Sequence, residues 1–273
     1  MLDFGLKLCN RVANMTQQNA PISIAQVLLQ NNLFSFDSRT IADLLRLDKF
    51  QTTRLLQRMK REGLVAGVER GKYLLLGLTP EKVFSNPLYI GANLHSPSYI
   101  SYWSALHFHG LTEQVPRTVS VATTRRKSQI SFRGTRYRFV TIKPGAFFGY
   151  RRETLDGLPV PIADEAKSIL DSLTLPEYAG GITEVANALR AAFSGQALDV
   201  RQLIEYAGRL NNGSLSSRLG YLLDLLHQPV EGLRPSRGPV RLDPRLAERG
   251  TFHSRWRLYV NISLDDLSPK GIV

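Results

Sequence analysis

The residues best placed to do chemistry lie in "KFQTTRLLQRMKR", residues 49–61. On a helical wheel at about 100° per residue, Thr52, Leu55, Leu56 and Met59 gather on one side. Phe50, Gln51, Thr53, Arg54, Gln57, Arg58 and Arg61 occupy the other. A helix lying in the DNA major groove needs an apolar side to pack and an outward side of guanidinium and amide groups. Arg pairs with guanine and Gln with adenine through two hydrogen bonds, because each base edge presents a matching donor and acceptor pattern. Downstream, "LVAGVERGKYLLLG" reads as two short apolar strands around Glu69-Arg70-Gly71-Lys72, with Gly71 suited to a positive φ. That hairpin would set Arg70 and Lys72 beside the groove, against phosphate or the minor groove. A merely solvated basic helix is the other reading of residues 49–61. It leaves the hairpin and the helix caps beside it unexplained.

A second basic run offers different chemistry. Arg125, Arg126, Lys127, Arg133, Arg136, Arg138 and Lys143 fall within nineteen residues, shortly after Arg117 and interleaved with Phe132, Tyr137 and Phe139. Two readings stay open: a second polyanion surface, for DNA or RNA, and a solvated hairpin with alternating buried aromatics. Three further constellations are weaker. Asp156, Glu165 and Lys167 have the Asp…Glu-x-Lys order of a metal-dependent nuclease, which requires Glu and Lys on one face of a strand. Ile162, Ala166, Ile169, Leu170 and Leu173 instead recur at helical spacing, which sends Glu165 and Lys167 to opposite sides. The nuclease is therefore the alternative reading. His107 and His109 diverge by about 200° on a helix and do not form a metal-binding pair. Nothing in the sequence points to an activated thiolate at Cys9, and the chain has neither a Gly-rich phosphate loop nor a nucleophile elbow. The expectation is a protein without a catalytic centre, metal or cofactor.

The elements that must position these residues follow from period and punctuation. From Pro21 to Leu76 the order is helix, helix, helix, hairpin. Ile24, Val27 and Leu28 form the first stripe, and Ser38 is placed to cap a second helix with Ile41, Leu44 and Leu45 inside. Asp48 and Gln51 make a capping-box pair for the third, and Gly63 is placed to end it in the left-handed conformation. This is a winged helix-turn-helix pattern. Leu78–Ile100, rich in Pro, Gly, Ser and Asn, reads as a connection. Beyond it "YISYWSALHFHG" looks helical, "TVSVATT" and "YRFVTI" look like strands, and four helical stripes run between Ala163 and Gln228 before a closing strand in "RWRLYVNISL". The expected class is α+β: an extension over 1–20, a winged helix-turn-helix over 21–80 and a mixed α/β domain over 81–273.

Charge agrees with this division. Of a net +12, residues 1–80 carry +5 (11 Lys/Arg against 6 Asp/Glu) and residues 81–152 carry +9 (11 against 2). Residues 153–273 carry −2 (13 against 15), so the excess is polarised and points to a polyanionic partner. With one cysteine, a disulfide framework and a thiolate zinc cluster are excluded. Short, interrupted apolar runs and an acidic residue near the N-terminus argue against a membrane span and a signal peptide, and for a cytoplasmic protein.

Several segments in order carry a resemblance: "LLQRMKREGLVAGVERGKYLLLG", "YISYWSALHFHGLTEQVPRTVSVAT", "FFGYRRETLDGLPVPIADEAKSILDSL", "EYAGGI" and "SSRLGYLLDLL". Together they resemble the AbiEi family of abortive-infection antitoxins, over about residues 22–262. The resemblance implies a repressor of its own operon that binds double-stranded operator DNA, with inverted repeats, through the winged helix. It also implies a C-terminal antitoxin domain, in a type IV toxin–antitoxin system, that counteracts a nucleotidyltransferase-like toxin without forming a stable complex with it. The DNA-reading role then falls on Gln51, Thr53, Arg54, Gln57, Arg58 and Arg61, and the wing role on Arg70 and Lys72. The chain departs from the family pattern in residues 1–20 and in "EGLRPSRGPVRLDPRLAERG".

Overall fold

Pro21 opens the first helix of the computed structural model, which describes residues 20–247, 250–263 and 267. Cys9 and nearly all of the 1–20 extension lie outside the described residues. The chain forms two compact units. One runs through Ser96 and includes Leu155–Leu158; the other comprises Pro97–Thr154 and the chain from Pro159 onward. The class is α+β, with helices and separate mixed sheets.

In the first unit α1 (Pro21–Gln30) starts on a proline whose missing N–H would have been unpaired at that position anyway. After β1 (Ser35–Asp37) comes α2 (Ser38–Leu45). The cap of α2 is Asp37 rather than Ser38. Asp37 is extended and its Oδ1 accepts from the Thr40 amide at 2.8 Å, while Ser38 is already helical. Arg46, in the left-handed conformation, ends α2, and Asp48 starts α3 (Lys49–Arg61). Gly63 (φ +72°) then turns the chain into β2 (Val65–Glu69) and β3 (Lys72–Leu75). The sheet order is β1-β3-β2, antiparallel throughout. Phe36 pairs with Tyr73 across it, their rings stacked 6.0 Å apart. Ile24, Leu28, Ile41, Leu56, Met59 and Val65 share one core, so α3 is clamped by its apolar side to the helices before it and the sheet after it.

The Pro-rich stretch read as a connection holds two short helices, α4 (Pro80–Phe84) and α5 (Pro87–Asn93). Each begins at its proline, and Asn86 caps α5 by accepting from the Tyr89 amide at 3.0 Å. Prolines that suggest a loop are here helix-starting residues.

The second unit is built on a six-stranded sheet of order β6-β7-β5-β4-β9-β8. Its strands are β4 (Ser98–Ile100), β5 (Thr118–Thr123), β6 (Ile130–Phe132), β7 (Thr135–Thr141), β8 (Tyr150–Leu155) and β9 (Leu158–Ala163). β4 is antiparallel to β5 and parallel to β9; β7 is parallel to β5 and antiparallel to β6. The start of "YISYWSALHFHG" therefore belongs to β4, and α6 covers only Tyr102–Phe108. Four longer helices follow where the stripes predict them: α7 (Glu165–Thr174), α8 (Ile182–Ser194), α9 (Val200–Leu210) and α10 (Gly213–Leu225). Ile169, Leu173, Leu189, Leu203, Leu219 and Trp256 lie in their common core. A small sheet, β10 (Val240–Arg241), β11 (Thr251–His253) and β12 (Leu258–Val260), closes the described chain, with β12 in the middle.

Candidate nucleic-acid interface

Helix α3 is fixed at its start by reciprocal bonds. The Asp48 carboxylate accepts from the Gln51 backbone amide at 2.8 Å, and the Gln51 side-chain Oε1 accepts from the Asp48 backbone amide at 3.1 Å. Such a cap contributes about 1 kcal/mol to helix stability. Thr52, Leu56 and Met59 are buried and Leu55 is half-buried. Phe50, Gln51, Thr53, Arg54, Gln57, Arg58 and Arg61 are exposed, which is the division the wheel predicts.

The exposed residues are not equally disposed to bind. Gln51 is part of the cap, and pairing with adenine would require the same carbonyl oxygen that holds Asp48. Reading by Gln51 would therefore compete with the helix cap, whereas Gln57, six residues further along, is exposed. The Thr53 hydroxyl donates back to the Lys49 carbonyl at 2.8 Å. Arg58 Nε donates to Glu62 at 2.8 Å; both side chains are solvated, so the pair is worth little. Arg58, Lys60 and Arg61 occupy the last turn, where positive charge also favours the helix dipole. Arg54, in the middle of the helix, gains nothing from the dipole.

The β2–β3 hairpin ends in Glu69-Arg70-Gly71-Lys72, with Gly71 at φ +72° and an irregularity in β2 between Gly67 and Glu69. Its tip is tied to α2, because the Ser38 amide and hydroxyl both donate to the Gly71 carbonyl, at 2.9 and 3.3 Å. Lys72 Nζ lies 3.2 Å from Glu69, so part of its charge is balanced at home. Arg70 is exposed at the turn. Lys60 was not among the residues the wheel singled out. It is exposed and lies beside the hairpin, its Nζ 3.9 Å from where a side chain at Gly67 would start.

The second basic run is spread over β5, β6, β7 and their connections. Residue 118 faces Arg136 and residue 123 faces Thr141 in the parallel β5–β7 pair. Arg117 and Arg136 thus belong to one end of these strands, and so does Arg133, at the β6–β7 turn beside Gly134 (φ +48° and +80°). Arg125, Arg126 and Lys127 follow the end of β5, in the segment that leads back to Ile130, which pairs with Tyr137. The expected hairpin is also different. β5 and β7 run parallel, β6 intervenes in sequence, and the Arg125–Lys127 turn belongs to the connection from β5 to β6. Tyr137 and Phe139 are buried, alternating with Arg136 and Arg138. The Arg138 guanidinium lies 5.4 Å from the centre of the Tyr178 ring, inside its own unit.

The Glu165–Lys167 pair diverges as the helical spacing requires. Glu165 accepts two bonds from Arg151, at 2.9 and 3.0 Å, and meets His109 Nδ1 at 3.3 Å. Burial raises its carboxyl pKa, but the Arg151 bonds, a backbone hydrogen bond and nearby positive charge together leave it below the usual range. Lys167 is 0% exposed; its ammonium donates to Asp171 and, at 2.8 Å, to the Tyr99 hydroxyl. Ser101 and Tyr99 complete the shell of Asp171 at 2.7 and 3.0 Å. Asp156 lies at the β8–β9 turn with φ +51°. Glu165 and Lys167 are thus engaged by different partners, Arg151 and Asp171. His107 is exposed on α6, while His109 Nε2 approaches the Ala163 carbonyl at 2.7 Å. Among the described residues no group of three or more His, Cys, Asp and Glu could hold a metal ion, and no helix is long and apolar enough to cross a membrane.

No protein-family model and no curated protein matches the chain. Among solved structures it is similar to the crystal structure of the RV2827C protein from Mycobacterium tuberculosis. The two share 14% identity over 86% of this chain and 89% of that one, with a TM-score of 0.51. At that identity the likeness concerns the fold alone.

Proposed function

We propose that the first unit is a winged helix-turn-helix module in which α3 reads operator DNA and the β2–β3 hairpin is the wing. In this reading the chain represses its own operon by binding inverted repeats. Its second unit is the antitoxin of a type IV toxin–antitoxin system, counteracting a nucleotidyltransferase-like toxin without a stable complex, in the cytoplasm. The observation that carries the DNA-binding part is the exposed face of α3. Arg54, Gln57, Arg58 and Arg61 point away from a core that holds Leu56 and Met59. The order helix, strand, helix, helix, hairpin and the +5 and +9 charge of the first two segments support it. The antitoxin role rests on the sequence resemblance to the AbiEi family.

Salt dependence is the test. If helix and wing neutralise roughly six phosphates, the slope of log affinity against log salt is about −5, and affinity falls on the order of a thousandfold between 50 and 200 mM. The assay is fluorescence anisotropy of the full chain on the duplex upstream of its own reading frame. A slope near zero would remove the electrostatic basis of the proposal.

A further inference from the structure

Phe50 is 75% exposed, at the second position of a helix whose core side has ample apolar area to join. On the wheel Phe50, Arg54, Gln57 and Arg61 fall within about 60° of one another, so the ring sits in the middle of the outward face. A single exposed hydrophobic side chain is ordinary on a protein surface. Val115, at 74%, is one, in a turn outside any helix or strand. What distinguishes Phe50 is its company. Its neighbours on that face are guanidinium and amide groups, and the complementary partner is a polyanion with hydrogen-bonding edges. In the DNA major groove such a partner offers one apolar group, the 5-methyl of thymine.

We infer that Phe50 is a specificity-determining residue that packs on a thymine methyl in each half-site, close to the guanine met by Arg54. The inference rests on α3 being the DNA-reading helix. Arg54 is one turn further along the same face. A four-residue step advances about 6 Å along the helix, against 3.4 Å per base pair, so the thymine and guanine should lie within about two base pairs of each other. Gln51, held in the cap beside Phe50, leaves the apolar contact as the feature of the first turn that separates thymine from the other bases.

The test uses duplexes enriched by the full chain from a randomised pool, with each thymine replaced in turn by deoxyuridine, which removes the methyl and keeps the base pair. At one thymine per half-site, wild-type affinity should drop about fourfold, the equivalent of one buried methyl. The Phe50→Ala chain should bind thymine and uracil versions of that position equally, and the exposure of the side chain leaves folding intact. Retention of the wild-type methyl sensitivity by Phe50→Ala, or insensitivity of wild type at every thymine, overturns the inference. If the pool yields no preferred sequence, α3 does not read bases and the inference fails with the reading beneath it. A preferred sequence without any methyl effect removes Phe50 alone.

Discussion

Helix α3 and strand β7 are both rich in arginine, yet the fold uses their charges in different ways. In α3 the period of 3.6 gathers Arg54, Arg58 and Arg61 on one outward side while Leu56 and Met59 go to the core. In β7 the period of two alternates Arg136 and Arg138 with buried Tyr137 and Phe139, and the remaining cations of the run lie in the segments that flank the strands. Arg138 faces Tyr178, and Lys167, further along in the same unit, is sealed against Asp171 and Tyr99. Density of charge in a sequence thus does not define a surface. Period, register and local partners decide whether cations add up to a field or take part in the fold.

The largest expected effect breaks the comparison on its buried side. Asp171→Ala leaves the Lys167 ammonium in an apolar interior without its counter-charge, which should cost about 3–5 kcal/mol of stability. Urea unfolding of the full chain reads this out. A change below about 1 kcal/mol would mean that Lys167 reaches water and does not belong with the internal cations. The next change concerns the second basic run. Reversal of Arg125, Arg126 and Lys127 to Glu should abolish rescue of cells expressing the toxin while operator affinity in the full chain is kept. Surviving rescue would reduce the β5–β6 connection to a solvated turn. The smallest effect sharpens the outward side. Lys72→Ala should weaken binding to all duplexes about equally and lower the salt slope by about one. The Glu69 partner 3.2 Å away makes a larger loss inconsistent with this account.

Helical elements were legible wherever a stripe had a cap beside it. Asp48 and Gln51 announced α3, and Ile169, Leu170 and Leu173 announced α7. Misreadings arose where local chemistry has two uses. Pro80 and Pro87 look like loop residues and start helices, and Asp37 competes with Ser38 for a single cap. Strand pairing was not legible, because the parallel partnership of β5 with β7 depends on contacts far apart in sequence and β6 is only three residues long. The outward face of α3 and the cap between Asp48 and Gln51 were readable in advance, whereas the pairing of Lys72 with Glu69 required coordinates. Phe50 stood on the predicted face, but its type drew no role, since hydrogen-bonding residues dominate any search for base readers.

In the proposed division of labour, α3 reads bases while the hairpin grips. This division is tested most directly by measuring Arg54→Ala against the preferred duplex and every single-base variant of it, beside Lys72→Ala on the same set. The account predicts a loss of about 1–3 kcal/mol for Arg54→Ala, confined to duplexes that retain its guanine, with preference at that position flattened. An equal loss on every duplex, indistinguishable from that of Lys72→Ala, would contradict it.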